Sequence, residues 1–272
     1  MPAAELARLR LQINQLLLVL DQPQEFNRRL RELYRQYGNH AYRAGQTVLP
    51  QSLLPSYRVP PLVTRQLELD LGKACRDHPH LALALVDVLW QESHLEPRLL
   101  AAFLLGVLPV SEVGAEVVQK LREWGRPEEN LRVFNALMEY GAARLRREAP
   151  DLLIGLIEEW LSSSSPQQQA VGLRALLPLI RNRDYQNLPV VFRLLSPAAQ
   201  GGSPALQTDL QAALQALAER SPVETAYFLR QMLSLSESQA VARLVRRCLA
   251  LFPPAQQASL RSALEARAFQ NR

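Results

Sequence analysis

The sequence predicts an all-α protein built from stacked helix pairs. Apolar residues recur along the whole chain with the period of an amphipathic helix, and no stretch shows the two-residue alternation of a half-buried strand. The connections between predicted helices are short, which favours antiparallel neighbours, and helix pairs recur about every 35 to 40 residues. We therefore expect a right-handed α-α superhelix, an α-solenoid of about 12 to 14 helices, in which one layer lines a concave groove.

The N-terminal part of the chain is predicted to contain a helix pair followed by a long loop. Apolar stripes define the pair in residues 1–37, and Pro50, Pro55 and Pro60 interrupt the pattern in residues 38–60. A loop of this length in a compact domain is usually functional or an insertion. Residues 61–270 carry the regular repeats. Because no linker divides them, we predict a single domain over residues 1–272.

Twelve helices are predicted in the regular region, and serine-proline pairs mark three of their starts. Serine favours the N-cap and proline tolerates the first helical position, which fits Ser165, Ser203 and Ser221. The pairs vary in sequence without a strict consensus, as is typical of HEAT-like and armadillo-like repeats. The predicted helices cover residues 61–76, 79–91, 96–108, 111–124, 127–147, 150–162, 166–182, 187–196, 204–219, 222–234, 237–252 and 254–269.

The composition permits an anionic partner without requiring one. Of the 272 residues 48% are hydrophobic, and the formal net charge is +5. Nearly all of the positive charge is arginine, a bias that a GC-rich genome would also produce. The longest apolar run, residues 99–110, is shorter than a membrane span. Cys75 and Cys248 lie far apart at apolar helical positions, so we expect buried free thiols in a cytoplasmic protein without a membrane partner.

One cluster, Cys75, His78 and His80, has a spacing that suggests metal ligands. A structural zinc site needs four ligands and usually a second ligand pair, and no such pair is near in the sequence. A histidine-containing helix end explains the cluster as well, so we predict no metal site. The sequence also lacks a P-loop, a Gly-x-Gly-x-x-Gly fingerprint and a His-Glu-x-x-His pattern. We therefore expect no cofactor.

Several short segments follow one another in a characteristic order. They read Arg-Val-Pro-Pro-Leu at 58–62, Ser-His-Leu-Glu-Pro-Arg-Leu-Leu-Ala at 93–101, Leu-Ile-Arg-Asn-Arg-Asp-Tyr at 179–185, Arg-Ser-Pro at 220–222, Phe-Leu-Arg at 228–230 and Leu-Phe-Pro-Pro-Ala-Gln-Gln at 251–257. In this order, the chain resembles the HEAT-like repeat DNA alkylation repair family, the alkylpurine DNA glycosylases of the AlkD type. The resemblance covers most of the chain and implies the family's helical fold.

The resemblance also implies where a catalytic cleft would lie. The family's cleft resembles an aromatic box with one carboxylate, and its signature on one helix is Asn-Trp-Asp-Leu-Val-Asp. The matching residues 130–135 read Asn-Leu-Arg-Val-Phe-Asn, so Leu131 replaces the stacking Trp and Asn135 replaces the second Asp. A family Trp-Glu-Arg-Arg segment aligns with residues 167–170, which include Gln169 and Ala170.

These replacements remove the groups that the family mechanism uses. A third family Trp aligns with Ala212. An amide lacks the full negative charge that an oxocarbenium-like centre needs, and leucine or alanine offers no stacking face. We therefore expect no catalytic residues at these positions. A slip of one turn in the alignment would bring one tryptophan into the cleft, although packing at helix ends explains all three: Trp90, Trp124 and Trp160.

Arginines recur on the polar faces of successive predicted helices. If those faces share the concave side, they form a stripe that can follow a phosphate backbone. The predicted nucleic-acid-binding residues are Arg132, Arg174, Arg181, Arg183, Arg243 and Arg246. Our first hypothesis is a non-catalytic protein that binds double-stranded DNA through its backbone. The alternatives are a scaffold that holds a protein or peptide in the groove, and a glycosylase with a rearranged active site.

Overall fold

The computed structural model describes residues 3–38, 54–236 and 238–270, which form helices and turns without a strand. The predicted all-α class is confirmed. The helices are α1 (Ala3–Leu17), α2 (Pro23–Tyr37), α3 (Pro61–Asp77), α4 (Pro79–Trp90), α5 (Leu95–Val107), α6 (Val110–Trp124), α7 (Leu131–Ala136), α8 (Ala143–Glu148), α9 (Pro150–Leu161), α10 (Pro166–Arg181), α11 (Leu188–Gly201), α12 (Gln207–Arg220), α13 (Pro222–Leu235), α14 (Gln239–Cys248) and α15 (Pro254–Gln270). A π-turn covers Leu137–Gly141, and 3₁₀ turns cover Pro204–Leu206 and Leu249–Leu251.

The chain divides into two compact units, unit 1 (Met1–Leu153) and unit 2 (Ile154–Arg272). In unit 1, the odd layer consists of α1, α3, α5 and α7, and α2, α4, α6 and α8 form the second layer. In unit 2, the even layer consists of α10, α12 and α14, and α11, α13 and α15 form the other layer. The single domain, the superhelix and the concave groove stay predictions.

The predicted helix over residues 127–147 is wrong, because three elements occupy this stretch. The side chain of Asn130 accepts the N–H groups of Arg132 at 3.0 Å and Val133 at 3.4 Å, so the helix begins after Asn130. The π-turn then separates α7 from α8, and the N–H of Ala142 donates to the carbonyl of Leu137 at 3.0 Å. This division explains why more helices form than were predicted.

The other predicted helices exist with shifted ends. α11 continues past Pro197 to Gly201, and the next residue, Gly202, has a φ of +64°, in the left-handed region. Serine and proline occupy the predicted N-cap and first positions at Ser165, Ser203 and Ser221. Only the Ser165 hydroxyl caps its helix, accepting the N–H of Gln168 at 3.4 Å. The Ser221 hydroxyl donates to the Glu224 carboxylate instead.

Residues 39–53 of the predicted loop lie outside the described residues, but its last part is anchored to α5. The Glu96 carboxylate accepts the N–H groups of Tyr57 at 3.0 Å and Arg58 at 2.7 Å. Arg58 has a φ of +55°, a left-handed conformation that is unusual for arginine. The Tyr57 ring stacks on His94, with ring centroids 4.2 Å apart. These contacts therefore hold the segment before α3 against the first turn of α5.

Both cysteines are buried free thiols, as predicted. Burial raises the pKa of Cys75 to about 12 and that of Cys248 to about 11, because the apolar surroundings disfavour the thiolate. Cys75 lies in the core, whereas His78 and His80 are exposed. Within the part of the chain that is described, no group of three His, Cys, Asp or Glu side chains could hold a metal ion. No helix there is long and apolar enough to cross a membrane.

Two glycines in the odd layer of unit 1 allow neighbouring elements to approach closely. A Cβ at Gly72 would lie 3.3 Å from the Phe103 ring, so α3 and α5 pack closely at this point. A Cβ at Gly106 would lie 1.8 Å from the carbonyl oxygen of Tyr140, which is shorter than any real contact. The α5 backbone therefore touches the π-turn, and only glycine fits at position 106.

We predict that Gly106→Ala lowers the free energy of unfolding by about 2 to 3 kcal/mol, because the added methyl group forces α5 and the π-turn apart. Gly155 in α9 is the matched control, since no atom lies within 4 Å of a Cβ there. Gly155→Ala removes a glycine from a helix and should leave stability unchanged or raise it by up to about 1 kcal/mol. Urea unfolding followed by circular dichroism measures both. Equal effects of the two substitutions would contradict the close approach at Gly106.

Candidate functional site

The candidate site is the exposed side of α7 with the π-turn that follows it. Val133, Phe134 and Ala136 point into the core, whereas Leu131, Arg132 and Asn135 are exposed. The two family positions on this helix, Leu131 and Asn135, therefore lie on one solvent-facing side. Leu131 is 55% exposed.

An ion pair holds the start of α7 against α5. The Arg98 guanidinium on α5 pairs with the Glu129 carboxylate, and both side chains are largely buried. A carboxylate oxygen of Glu129 also accepts the backbone N–H of Asn130 at 2.7 Å. Asn130 in turn caps α7. This chain of contacts, from Arg98 through Glu129 to Asn130, fixes where α7 begins and which of its side chains face solvent.

Two stacked tryptophans support the same ion pair from the second layer. The Trp90 and Trp124 rings are 4.3 Å apart with a 6° angle between their planes, and the Arg98 guanidinium lies 4.8 Å from the Trp90 centroid. They border a cleft of about 500 Å³ that also contains the Lys120–Asp87 ion pair, whose N···O distance is 2.7 Å. Packing at the ends of α4 and α6 therefore explains both tryptophans. Trp160 is 3% exposed and likewise buried.

The family positions in unit 2 carry neither an acid nor an aromatic ring. Gln169 is half-buried, and its amide donates to the carbonyl of Ser163 at 2.8 Å. Ala170 is buried and Ala212 is half-buried. These residues support the turn before α10 and the packing of α10 and α12. They provide no group that could stabilise a cation.

The π-turn exposes one acid that the sequence analysis missed. Glu139 and Tyr140 follow Asn135 along the chain and are both exposed. The Arg146 guanidinium donates to the carbonyls of Met138 at 2.7 Å and Glu139 at 3.0 Å, and burial lowers the pKa of Arg146. Glu139 was not weighed in the sequence analysis, although its four-residue spacing from Asn135 places both on the same side of a regular helix.

The predicted arginines differ in their availability for an anion. Arg174 on α10 forms an ion pair with Asp209 on α12 at 2.9 Å, so a carboxylate already neutralises its charge. Arg181, Arg243 and Arg246 are exposed, and within the described ranges none of them forms an ion pair with a carboxylate. Arg132 in unit 1 and Arg183 after α10 are exposed as well. Their role in binding nucleic acid stays a prediction.

In unit 2, the exposed side of the even layer is rich in arginine. Gln167, Arg174 and Arg181 are seven residues apart and share one side of α10. Arg243 and Arg246 are exposed on α14, together with Arg247, which donates to the Gln207 side chain. Thr208, Gln211, Gln215 and Glu219 are the exposed residues of α12 between them. We call this the arginine surface, and it presents guanidinium and amide groups with one exposed acid.

A family model described as DNA alkylation repair enzyme matches residues 59–248. Among solved structures, the chain is similar to smu.31 from Streptococcus mutans UA159, at 18% sequence identity and a TM-score of 0.48. The similarity covers 67% of this chain and 94% of that one. A comparison with curated proteins found no match.

We predict that Glu129→Gln lowers the free energy of unfolding by about 2 to 3 kcal/mol, because Arg98 then lacks a carboxylate partner in a largely buried position. Glu128→Gln is the control, since Glu128 is exposed next to it and should change stability by less than about 0.5 kcal/mol. Denaturant unfolding compares the two variants. If Glu129→Gln is as stable as Glu128→Gln, the ion pair does not hold α7 in place.

Proposed function

The chain belongs to the DNA alkylation repair enzyme family, and we propose that it binds duplex DNA through the backbone without excising a base. One observation carries this proposal: Arg181, Arg243 and Arg246 are exposed in the even layer of unit 2 and have no carboxylate partner within the described residues. Guanidinium groups match phosphate geometry and stay charged at any physiological pH. The formal net charge of +5 agrees in sign with an anionic partner.

The proposal that no base is excised rests on the side chains of α7, α10 and α12. Cleavage of a glycosidic bond develops positive charge on the sugar, and a carboxylate in a cleft with little water stabilises that charge. Asn135 offers an amide at the aligned position, and Leu131 cannot stack on a nucleotide. The three tryptophans are buried, and Trp90 and Trp124 stack on each other.

Two other functions each have one observation in their favour. Exposed apolar side chains in unit 1, such as Leu62 and Leu69, favour a scaffold that holds a protein or peptide. Glu139 provides a carboxylate near Asn135 and favours a glycosylase with a rearranged active site. Neither observation accounts for the exposed Arg181 on α10 or for Arg243 and Arg246 on α14.

We predict that a labelled duplex binds with an affinity that falls as salt rises, and that Arg243→Gln with Arg246→Gln weakens this binding. Each lost phosphate contact makes the negative slope of log K against log salt less steep by about 0.9. The slope of the double variant should therefore be less steep by about 1.8. The matched control is Arg230→Gln with Arg261→Gln, two exposed arginines on α13 and α15. Fluorescence anisotropy across a salt series measures all three proteins. Absence of binding at low salt, or binding without a salt slope, would exclude backbone recognition.

We predict that the protein releases no methylated purine from alkylated duplex DNA, because Asn135 cannot stabilise the sugar cation. Chromatography of the supernatant after incubation with methylated DNA detects the free base. If base is released and Glu139→Gln abolishes the release, the rearranged glycosylase is correct instead. Release that persists in Glu139→Gln would also contradict the prediction and would require an acid elsewhere.

A further inference from the structure

We propose that unit 2 binds a free amino acid with a large apolar side chain in a cavity beside α11. The cavity has a volume of about 280 Å³ and is bordered by the end of α9, by α11 and by the 3₁₀ turn Pro204–Leu206. None of its lining residues belongs to the arginine surface, so this inference is independent of DNA binding.

The wall of the cavity is largely apolar. Leu194 on α11 and Leu206 in the 3₁₀ turn line it and are 6% and 2% exposed, and Leu161 at the end of α9 lines it as well. The α11 sequence is poor in charge, because Arg193 is the one charged residue in Leu188–Gly201. An apolar group that enters the cavity therefore exchanges water for leucine side chains, which is favourable.

Small residues on α11 leave the cavity open. Ala198 and Gly201 lie three residues apart and both line it. A Cβ at Gly201 would have no atom within 4 Å, so the space in front of this glycine is open. An engineered cavity of about 150 Å³ holds a benzene ring. The larger volume here therefore suits a bicyclic ring such as indole together with a short chain.

One charge of each sign lies at the cavity, and the two groups face each other. The Arg193 guanidinium on α11 donates to the Glu158 carboxylate on α9, with N···O distances of 2.6 and 3.4 Å. Among the described residues that line the cavity, these are the two that carry a charge. The hydrogen bond from Arg193 lowers the pKa of Glu158, so both groups are charged at neutral pH. The lining therefore complements a molecule with one ammonium, one carboxylate and no net charge.

This ion pair is exposed enough for a ligand to use both of its charges. The side chains of Glu158 and Arg193 are 44% and 58% exposed. Water competes with an ion pair of this exposure, so opening it costs little free energy. An amino acid can then offer its ammonium to Glu158 and its carboxylate to Arg193, and every charge has a partner. A peptide terminus or a nucleotide carries charge of one sign and would leave one of the two groups unpaired.

NMR titration of the full chain with four indole compounds tests the proposal. L-tryptophan carries both charges, tryptamine carries the ammonium alone, indole-3-acetate carries the carboxylate alone, and indole carries neither. Tryptophan should shift the amide resonances of Ala198 and Gly201 and should bind about tenfold more tightly than each of the other three. Equal binding of the four compounds, or no shift of these resonances at millimolar concentration, would overturn the proposal.

Substitution of either charged residue should change the preference among the probes in opposite directions. Glu158→Gln releases the Arg193 guanidinium, so it should weaken tryptophan binding about tenfold and strengthen the binding of indole-3-acetate. Arg193→Gln should weaken tryptophan binding to a similar extent and strengthen the binding of tryptamine instead. A purely structural role of the ion pair predicts that each variant affects all four probes alike, and that result would contradict recognition of both charges.

Gly201→Leu tests the cavity itself. Because no atom lies within 4 Å of a Cβ at this position and leucine favours a helix more than glycine does, the variant should fold and fill the cavity. It should abolish tryptophan binding. Ala258→Leu adds the same side chain at an exposed position on α15 and should leave tryptophan binding unchanged. Thermal denaturation checks the folding of both variants. Tryptophan binding that persists in Gly201→Leu, or is lost equally in Ala258→Leu, would place the ligand elsewhere and overturn the proposal.

Discussion

The contact of the α5 backbone with the π-turn at Gly106 is the constraint on which the candidate site depends. A regular helix cannot accommodate a neighbouring backbone this close to Tyr140, and the turn widens by one residue instead. The widened turn leaves carbonyls without their usual partners, and the Arg146 guanidinium binds those of Met138 and Glu139. Glu139 and Tyr140 are exposed as a consequence. One glycine therefore determines which groups the surface after Asn135 presents.

Helical periodicity predicted most of the fold because each helix of unit 1 and unit 2 buries a regular apolar stripe. It failed over residues 127–147, where tertiary contacts decide the structure. Asn130 is a favoured N-cap residue that the predicted helix passed over, and Glu129 and Arg98 hold it at the start of α7. The π-turn was not predictable from local sequence, since its cause lies in α5, about 30 residues earlier.

The candidate site was predictable to the extent that it follows helical spacing. The exposure of Arg181, Arg243 and Arg246 follows from the apolar residues on the opposite sides of α10 and α14. The pairing of Arg174 with Asp209 did not follow from helical spacing, because the two residues are 35 positions apart and meet only when α10 packs on α12. Glu139 was missed for a different reason. It lies four residues after Asn135, a spacing that already places the two on one side of a helix, but only the aligned family positions were considered.

The stacked indoles of Trp90 and Trp124 give unit 1 an optical signature of its own. Two parallel rings 4.3 Å apart couple their electronic transitions, so the near-ultraviolet circular dichroism of unit 1 depends on the contact between α4 and α6. Trp160, the remaining tryptophan, belongs to unit 2 and has no such neighbour among the described rings. Loss of the coupled signal therefore reports that the second layer of unit 1 has opened, without any added label.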